Sequence, residues 1–195
     1  MTVIVNNYNI SLCEALNKNG FILGNEERWR AGLNLSEYTE QDMIWRDENI
    51  TLLSESDIDD RVTYADIPTG KKITRNMYET LINSKYYHAA LDYVIRSANT
   101  NEFIGFVTWW IEENSKTATL EPIACLPAYR QRGIMKRALF YGLNELKRRG
   151  LRYAYVSTSI RNEKSQPLYQ AVGFKKIGTT CRWVKERKRI WTYYL

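Results

Sequence analysis

The chain has 195 residues, enough for one domain of ordinary size or for one domain with an appendage. Hydrophobic residues make up 44% and aromatic residues 13%, which excludes a disordered chain and is sufficient for a core. The net charge of +6 combines two parts of opposite sign: residues 126–195 contain 17 basic and 3 acidic residues, and residues 1–125 contain 11 and 19. A basic part of this kind fits a polyanion, either a nucleic acid or a phosphorylated cofactor.

Several other classes of protein are disfavoured by the sequence. The longest apolar run, residues 103–111, is about half as long as a membrane helix, so we expect no membrane partner. The first residues lack the basic and apolar regions of a signal peptide, so we expect a cytoplasmic protein. Cys13, Cys125 and Cys181 are odd in number and lack metal-ligand spacing, and His88 is the single histidine. We therefore expect neither a disulfide framework nor a metal site.

The first segment of the chain repeats the order of predicted elements and residues found in its last part. Residues 3–29 run strand, helix, Gly20-Phe21, strand and Trp29, and residues 155–183 run in the same order to Gly173-Phe174 and Trp183. We therefore expect residues 1–45 to be an N-terminal appendage, the remnant of a degenerate copy, that adds strands to the main sheet or to a partner chain. The alternative is a chance similarity, because Gly-Phe after an amphipathic helix is common.

Residues 46–195 are expected to form the main domain, after a polar linker at residues 36–48. A strand at residues 50–53 precedes two helical segments, at residues 54–64 and 73–83. Three strands follow, at residues 91–95, 103–111 and 117–126. Pro122 interrupts the last of them and marks a bulge or a place where neighbouring strands separate, because proline cannot donate to a sheet.

Helices and strands alternate in the rest of the chain. The pattern predicts a helix at residues 133–149, a strand at 151–157, a helix at 165–172, and strands at 174–184 and 190–195. Strands, then helices, then an alternating β-α-β order together predict a mixed α/β sheet.

The junction at residues 126–137 carries the clearest chemical signal. A strand ends there, a short loop follows, and a helix begins whose first turn has backbone N–H groups without partners and the positive end of the helix dipole. Gly133 allows the backbone to approach a ligand closely. Basic side chains surround it, namely Arg130, Arg132, Lys136 and Arg137. These features predict a pyrophosphate site.

Two motifs in this part of the chain resemble those of the GCN5-related N-acetyltransferases, the GNAT family. Residues 130–135 read Arg-Gln-Arg-Gly-Ile-Met, which is similar to the family pattern Gln/Arg-x-x-Gly-x-Gly/Ala, although Met135 stands where a small residue is usual. Asn162 to Tyr169, followed by Gly173-Phe174, is similar to Asn-x-x-Ala/Ser-x-x-Leu-Tyr-x-x-x-Gly-Phe. The two motifs occur in the family's order, and the resemblance covers residues 50–195.

The resemblance implies a fold and a co-substrate. The fold would be a GNAT-like mixed, mostly antiparallel sheet that is flanked by helices and splayed at the cofactor strand, and residues 1–45 would be the remnant of a degenerate GNAT half. The co-substrate would be acetyl-CoA, without a metal. The residues implied to contact it are Ile123, Ala124 and Cys125 for the pantetheine arm, Arg130, Gln131, Arg132, Gly133, Ile134 and Met135 for the pyrophosphate, and Asn162 and Tyr169 near the pantetheine and the thioester sulfur.

The implied reaction is N-acetyl transfer by direct attack of a primary amine on the thioester. A thiol with a pKa of about 8.5 leaves more easily if it receives a proton, so Tyr169 is predicted to be the general acid. Glu121 lies two residues before Ile123 and is predicted to be the base. His88 and the carboxylate of Leu195 are alternative bases. The alternatives for Tyr169 and Asn162 are a core residue and a helix cap.

The acceptor is expected to be a small-molecule or peptide amine, and the acidic residues at 55–66 favour a cationic one. Two other functions stay open. Met135 favours a non-catalytic acyl-CoA-binding module of the same fold. The basic part could bind nucleic acid, but it lacks a recognised nucleic-acid motif, so we expect no such partner. Exposed strand ends make a homodimer plausible.

Overall fold

The structure is a computed structural model that describes residues 1–67, 70 and 72–185. Within these ranges the first half of the chain contains β1 (Thr2–Asn6), α1 (Ile10–Lys18), β2 (Ile22–Asn34), β3 (Glu48–Leu52), α2 (Ile58–Thr63), α3 (Arg75–Ile82) and β4 (Asp92–Ser97). The second half contains β5 (Phe103–Glu112), β6 (Thr117–Cys125), α4 (Ile134–Arg148), β7 (Tyr153–Ser159), α5 (Gln166–Ala171) and β8 (Lys175–Val184). The strand predicted at residues 190–195 lies outside the described residues.

All eight strands belong to one sheet, in the order β1-β8-β2-β7-β6-β5-β4-β3. Each neighbouring pair is antiparallel except β6 and β7, which are parallel. The prediction of a mixed, mostly antiparallel sheet flanked by helices is therefore confirmed. No described helix has both the length and the apolar content that crossing a membrane requires.

The main core lies between the sheet and helix α4. The helix buries one apolar stripe of Ala138, Leu139, Leu143 and Leu146, at the three- and four-residue spacing of an amphipathic helix. Each of the three leucines contributes roughly 1.5–3 kcal/mol by burial. Gly142 allows the helix to approach Trp109 of β5, because a Cβ atom there would lie 2.3 Å from the indole nitrogen.

The N-terminal residues are an integral part of the sheet. Strand β2 pairs with β7 through residues 28–34 and with β8 on its other side, and β1 pairs with β8. The β1-α1-β2 and β7-α5-β8 units therefore interleave, and each has a strand of the other between its own two strands. The origin of this arrangement in a degenerate copy stays a prediction.

A tryptophan of each unit also packs against the other unit. Trp29 of β2 stacks on Tyr169 of α5, with ring centroids 6.1 Å apart and an interplanar angle of 16°. Trp183 of β8 packs against a cluster that contains Leu16 of α1 and Phe21. Each tryptophan thus packs against the helix of the other unit.

Residues 35–47, which include most of the predicted linker, have no regular secondary structure and lie against helix α4. The Tyr38 hydroxyl donates to Asn144 Oδ1 at 2.9 Å, and Asn144 Nδ2 donates to the Gln41 carbonyl at 2.9 Å. Lys147 Nζ donates to the Tyr38 carbonyl. Asn144 is a buried polar residue, and these bonds satisfy its side-chain amide. They therefore attach the segment to helix α4.

Candidate active site

A cleft of about 1330 Å³ opens where strands β6 and β7 separate. Their parallel pairing runs from Thr117 and Tyr153 to Leu120 and Val156, whereas β6 continues to pair with β5 as far as Cys125. The β7-facing edge of β6 beyond Leu120 therefore has no strand partner within the described part of the chain. Backbone N–H and C=O groups along this edge are available to an extended ligand that can pair as a strand would.

The separation begins at Glu121 and Pro122. The register between β5 and β6 shifts between Val107 and Trp109, so these two residues of β6 form a bulge. Proline has no N–H to donate, and the indole N–H of Trp110 donates to the Glu121 carbonyl in place of a strand bond. The sequence prediction that Pro122 marks a bulge and a separation of strands is confirmed.

The loop between β6 and α4 forms one end of the cleft. Gln131 and Gly133 have positive φ angles of 62° and 75°, and Gly133 is the N-cap of α4. Positive φ is costly for most residues, so a glycine at the cap suits this turn. Gly133, Ile134, Met135 and Lys136 all line the cleft, so the first turn of α4 borders it. This is the arrangement in which a helix N-terminus binds an anion.

The four basic residues of this region have different surroundings. Arg130 and Lys136 line the cleft, and Arg130 Nε donates to the Cys125 carbonyl at 3.2 Å. The Arg132 guanidinium lies 5.2 Å from the centre of the Tyr129 ring and is not among the lining residues. Arg137 forms an ion pair with Glu48, whose side chain is only 4% exposed, and donates to the Arg132 carbonyl. The sequence places Arg137 among the basic residues around this loop, and in the structure its charge is paired with Glu48.

Tyr169 also lines the cleft and is only 4% exposed. Trp29 stacks on its ring, and Phe174 contacts it edge-on at 6.2 Å. Burial raises the pKa of Tyr169 to about 12, and the negative charge of Glu121 acts in the same direction, while Arg28 and a hydrogen bond with Ser165 act against it. The phenol is therefore protonated at neutral pH and is able to donate its proton.

Asn162, Glu121 and Cys125 line the same cleft. Asn162 Nδ2 donates to Thr158 Oγ1 at 3.2 Å, and the N-cap of α5 is Ser165, so Asn162 is not the helix cap. Glu121 is exposed to solvent. Burial raises the pKa of Cys125 to about 11, with Arg130 and Arg132 opposing it, so this thiol is not a nucleophile at neutral pH.

The cleft is also lined by the remaining predicted residues, namely Ile123, Ala124, Gln131 and Gly133. Among the described residues that were predicted to contact the co-substrate, only Arg132 does not line the cleft. Of the alternative bases, His88 is not a lining residue, and Leu195 lies outside the described residues. No group of three possible metal ligands is found in the described ranges.

Three of the five acidic residues at 55–66 form ion pairs within the protein. Asp57 and Asp60 both form ion pairs with Arg96 at 2.7 Å, and Asp59 forms one with Arg75 at 2.6 Å. The link between this segment and a cationic acceptor stays a prediction.

Strand β2 supplies cleft residues that sequence reasoning missed, namely Asn25, Glu27 and Arg28. The register between β2 and β8 shifts between Leu23 and Glu27, and such a bulge redirects side chains. No local pattern could have identified these residues, because β2 is positioned by pairing with β7 and β8, which are far away in the sequence.

A sheet that opens beside a helix N-terminus, with a buried tyrosine at the opening, is the architecture of an acetyltransferase. The family model "Acetyltransferase (GNAT) family" matches residues 58–174, which is more than half of the chain. The protein belongs to the GNAT family, and the resemblance found in its sequence is confirmed.

Solved structures of the same family share the fold. A GCN5-related N-acetyltransferase from Sphaerobacter thermophilus is 15% identical with a TM-score of 0.72, over 94% of this chain and 59% of that one. A GNAT acetyltransferase from Colwellia psychrerythraea is 15% identical with a TM-score of 0.66, over 95% and 65%. The ribosomal-protein-S18-alanine N-acetyltransferase from Escherichia coli is 15% identical with a TM-score of 0.56, over 76% and 99%.

At this identity the likeness concerns the fold alone. The chain spans less than two thirds of the length of the Sphaerobacter and Colwellia structures. No curated protein sequence matches it.

Proposed function

We propose that the protein is an N-acetyltransferase that transfers the acetyl group of acetyl-CoA to a primary amine within a ternary complex. One observation carries the proposal: the unpaired edge of β6, the first turn of α4 and the protonated Tyr169 all border one cleft. These features match the three parts of acetyl-CoA, which are an amide-bearing arm, a pyrophosphate and a thioester.

The cleft residues fit such a co-substrate. The backbone of Ile123, Ala124 and Cys125 would pair with the amides of the arm, since it lies on the unpaired edge. The first turn of α4, together with Arg130 and Lys136, would hold the pyrophosphate. Asn162 has an amide oxygen for which no donor is found among the described residues, and it would accept a hydrogen bond from the arm.

The bound thioester supplies the acetyl group, and the protein manages two protons. Glu121, directly or through water, would accept a proton from the incoming ammonium, which leaves a neutral amine to attack. The new C–N bond forms and the C–S bond breaks. Tyr169 would donate its proton to the departing sulfur, so that a thiol leaves and not a thiolate. The nitrogen loses its second proton as the amide forms, and this proton would restore the phenol of Tyr169 through water.

The experiment is a measurement of thiol release when purified protein is mixed with acetyl-CoA and a panel of primary amines, alongside calorimetric titration with CoA. We expect CoA binding and amine-dependent thiol release. The proposal would be contradicted if CoA does not bind. It would also be contradicted if Arg130→Ala and the unaltered protein bind CoA with the same affinity.

Met135 favours a second candidate, a module that binds acyl-CoA without turnover. Its side chain lines the cleft and packs on the core at a position where the family pattern has a small residue. In that case CoA binds, no amine releases thiol, and Met135→Gly creates activity that the unaltered protein lacks. In the first case Met135→Gly changes the affinity for CoA, while thiol release is already present in the unaltered protein.

A further inference from the structure

Arg28 is a charged group in the cleft wall that the proposed reaction does not use. It lies on β2, opposite Ser159 of β7, and lines the same cleft as Glu121 and Tyr169. The side chain is half-buried. It comes from the N-terminal unit, so the wall of the cleft is completed by a segment outside the residues that match the family.

The contacts of Arg28 hold one edge of its guanidinium group and leave the other available. Nε donates to Ser157 Oγ at 2.9 Å, and Nη2 donates to the Ser157 carbonyl at 2.9 Å. No ion pair between Arg28 and a carboxylate is found among the described side chains, and Glu27 next to it accepts from Asn7 Nδ2 at 3.2 Å. Nη1 and the second hydrogen of Nη2 therefore remain as a fork of two donors.

A half-buried guanidinium without a counterion is suited to binding an anion in the cleft. Removing a cation from water is costly, and pairing with a carboxylate in fork geometry recovers that cost better than a single hydrogen bond does. The two contacts with Ser157 hold the guanidinium in place, so less side-chain entropy is lost on binding.

Arg28, Glu121 and Tyr169 all line the same cleft. A ligand that reacts in this cleft therefore meets both a carboxylate and a guanidinium in its walls. The opposite charges of the two groups suit a molecule that carries both a cation and an anion on a short skeleton.

Resting on the proposed function, we infer that the acceptor is a small zwitterion, an amine with a carboxylate on a neighbouring carbon, as in an α-amino acid. Arg28 binds the carboxylate through its two available donors, and the amine is directed toward Glu121 and the thioester. A polyamine or an internal lysine of a peptide lacks the anion that Arg28 would pair with.

The first test uses the unaltered protein and compares α-amino acids with their primary amides and with the corresponding decarboxylated amines. Thiol release from acetyl-CoA gives kcat/KM for each acceptor. We expect the best amino acid to exceed its amide by about 30-fold or more, since loss of one partner of a desolvated charge pair has at least this effect. Equal values for the acid and the amide, or a polyamine as the best acceptor, would overturn the inference.

The second test uses Arg28→Ala and Arg28→Lys, with Arg30→Ala as the matched control. Arg30 lies two residues along the same strand and is not a lining residue of the cleft. We expect Arg28→Ala to lower kcat/KM about 30-fold more for the amino acid than for the amide, while Arg28→Lys recovers part of the loss. An equal loss with both acceptors would assign Arg28 to the acyl transfer step or to the scaffold, and would overturn the inference.

Calorimetric titration with the amino acid, in the presence of CoA, separates this inference from the proposed function. Absence of thiol release with every acceptor would contradict the proposed function. Binding of the amino acid that is lost in Arg28→Ala and kept in Arg30→Ala would still support the carboxylate site, and absence of binding would overturn it.

Discussion

The phenol of Tyr169 is kept protonated by its surroundings, and its ring is held by aromatic neighbours independently of the hydroxyl. Tyr169→Phe removes the proton donor and keeps the stacking with Trp29. We expect kcat to fall about 100-fold or more, the lower range for general acid catalysis, with the CoA dissociation constant unchanged. Single-turnover thiol release and calorimetry measure the two quantities. A variant that keeps kcat within threefold of the unaltered protein would show that another group protonates the sulfur.

The raised pKa of Tyr169 also has a consequence for stability. Its pKa is about 10 in the unfolded chain and about 12 in the folded one, so the folded state retains the proton to higher pH. The associated stabilisation, about 3 kcal/mol, is fully present below pH 10 and is lost as the pH rises through 12. Urea unfolding at a series of pH values measures this.

Tyr169→Phe is the control for that measurement. The difference in unfolding free energy between the unaltered protein and the variant should be constant below about pH 10 and should shift by about 2 kcal/mol towards the variant by pH 12. A difference that does not vary with pH would mean that the phenol ionises as freely in the folded protein as in the unfolded chain.

The site residues that could be predicted from the sequence are those within the two motifs. Gly133 and Tyr169 belong to short strand-loop-helix and helix segments in which local spacing determines position. Arg28 could not be predicted, because its place in the cleft follows from the pairing of β2 with β7, and strand pairing at long separation leaves no local pattern. The ion pair of Arg137 could not be predicted for a similar reason: its partner Glu48 is far away in the sequence.

At the scale of elements, the ion pair between Glu48 and Arg137 joins edge strand β3 to the first turns of α4. The Glu48 side chain is 4% exposed and that of Arg137 is 18% exposed, so neither is well hydrated. Glu48→Gln leaves the Arg137 charge unpaired, and we expect a loss of about 3 kcal/mol in the free energy of unfolding. We also expect weaker CoA binding, because Arg137 donates to the carbonyl of Arg132 in the loop. Denaturant unfolding and calorimetry measure the two effects.

Glu40→Gln is the matched control. Glu40 forms an ion pair with Arg148 near the other end of α4, with side chains 37% and 61% exposed. A pair this exposed contributes little, and we expect a change within about 0.5 kcal/mol and no effect on CoA binding. Similar losses in the two variants would show that burial does not distinguish these pairs.

The elements themselves were predictable to within a few residues wherever the hydrophobic pattern was regular. Strand β5 and helix α4 are examples, because each has one apolar side or run that the core requires. The sheet order was not predictable in the same way. Residues 36–48 were read as a linker from their polarity, whereas hydrogen bonds of Tyr38 and Gln41 with Asn144 attach this segment to α4.

At the scale of the whole molecule, the N-terminal unit and the C-terminal unit depend on each other. Strand β2 lies between β7 and β8, so the sheet is continuous only when residues 22–34 are in place. The same strand provides Trp29 for Tyr169 and Arg28 for the cleft. Sheet continuity, placement of the proton donor and completion of the cleft wall thus depend on one segment.

Two deletions test this dependence. Removal of residues 1–6 takes away edge strand β1, which pairs with β8 alone, and we expect a folded protein with a lower unfolding midpoint and measurable thiol release. Removal of residues 1–34 takes away β2, exposes the edges of both β7 and β8, and leaves Tyr169 without its stacking partner. We expect that shorter chain to lose cooperative unfolding and to aggregate, because unpaired strand edges associate. Circular dichroism, size-exclusion chromatography and thermal unfolding measure these outcomes. A shorter chain that unfolds cooperatively as a monomer and binds CoA with unchanged affinity would show that residues 35–195 form the site by themselves.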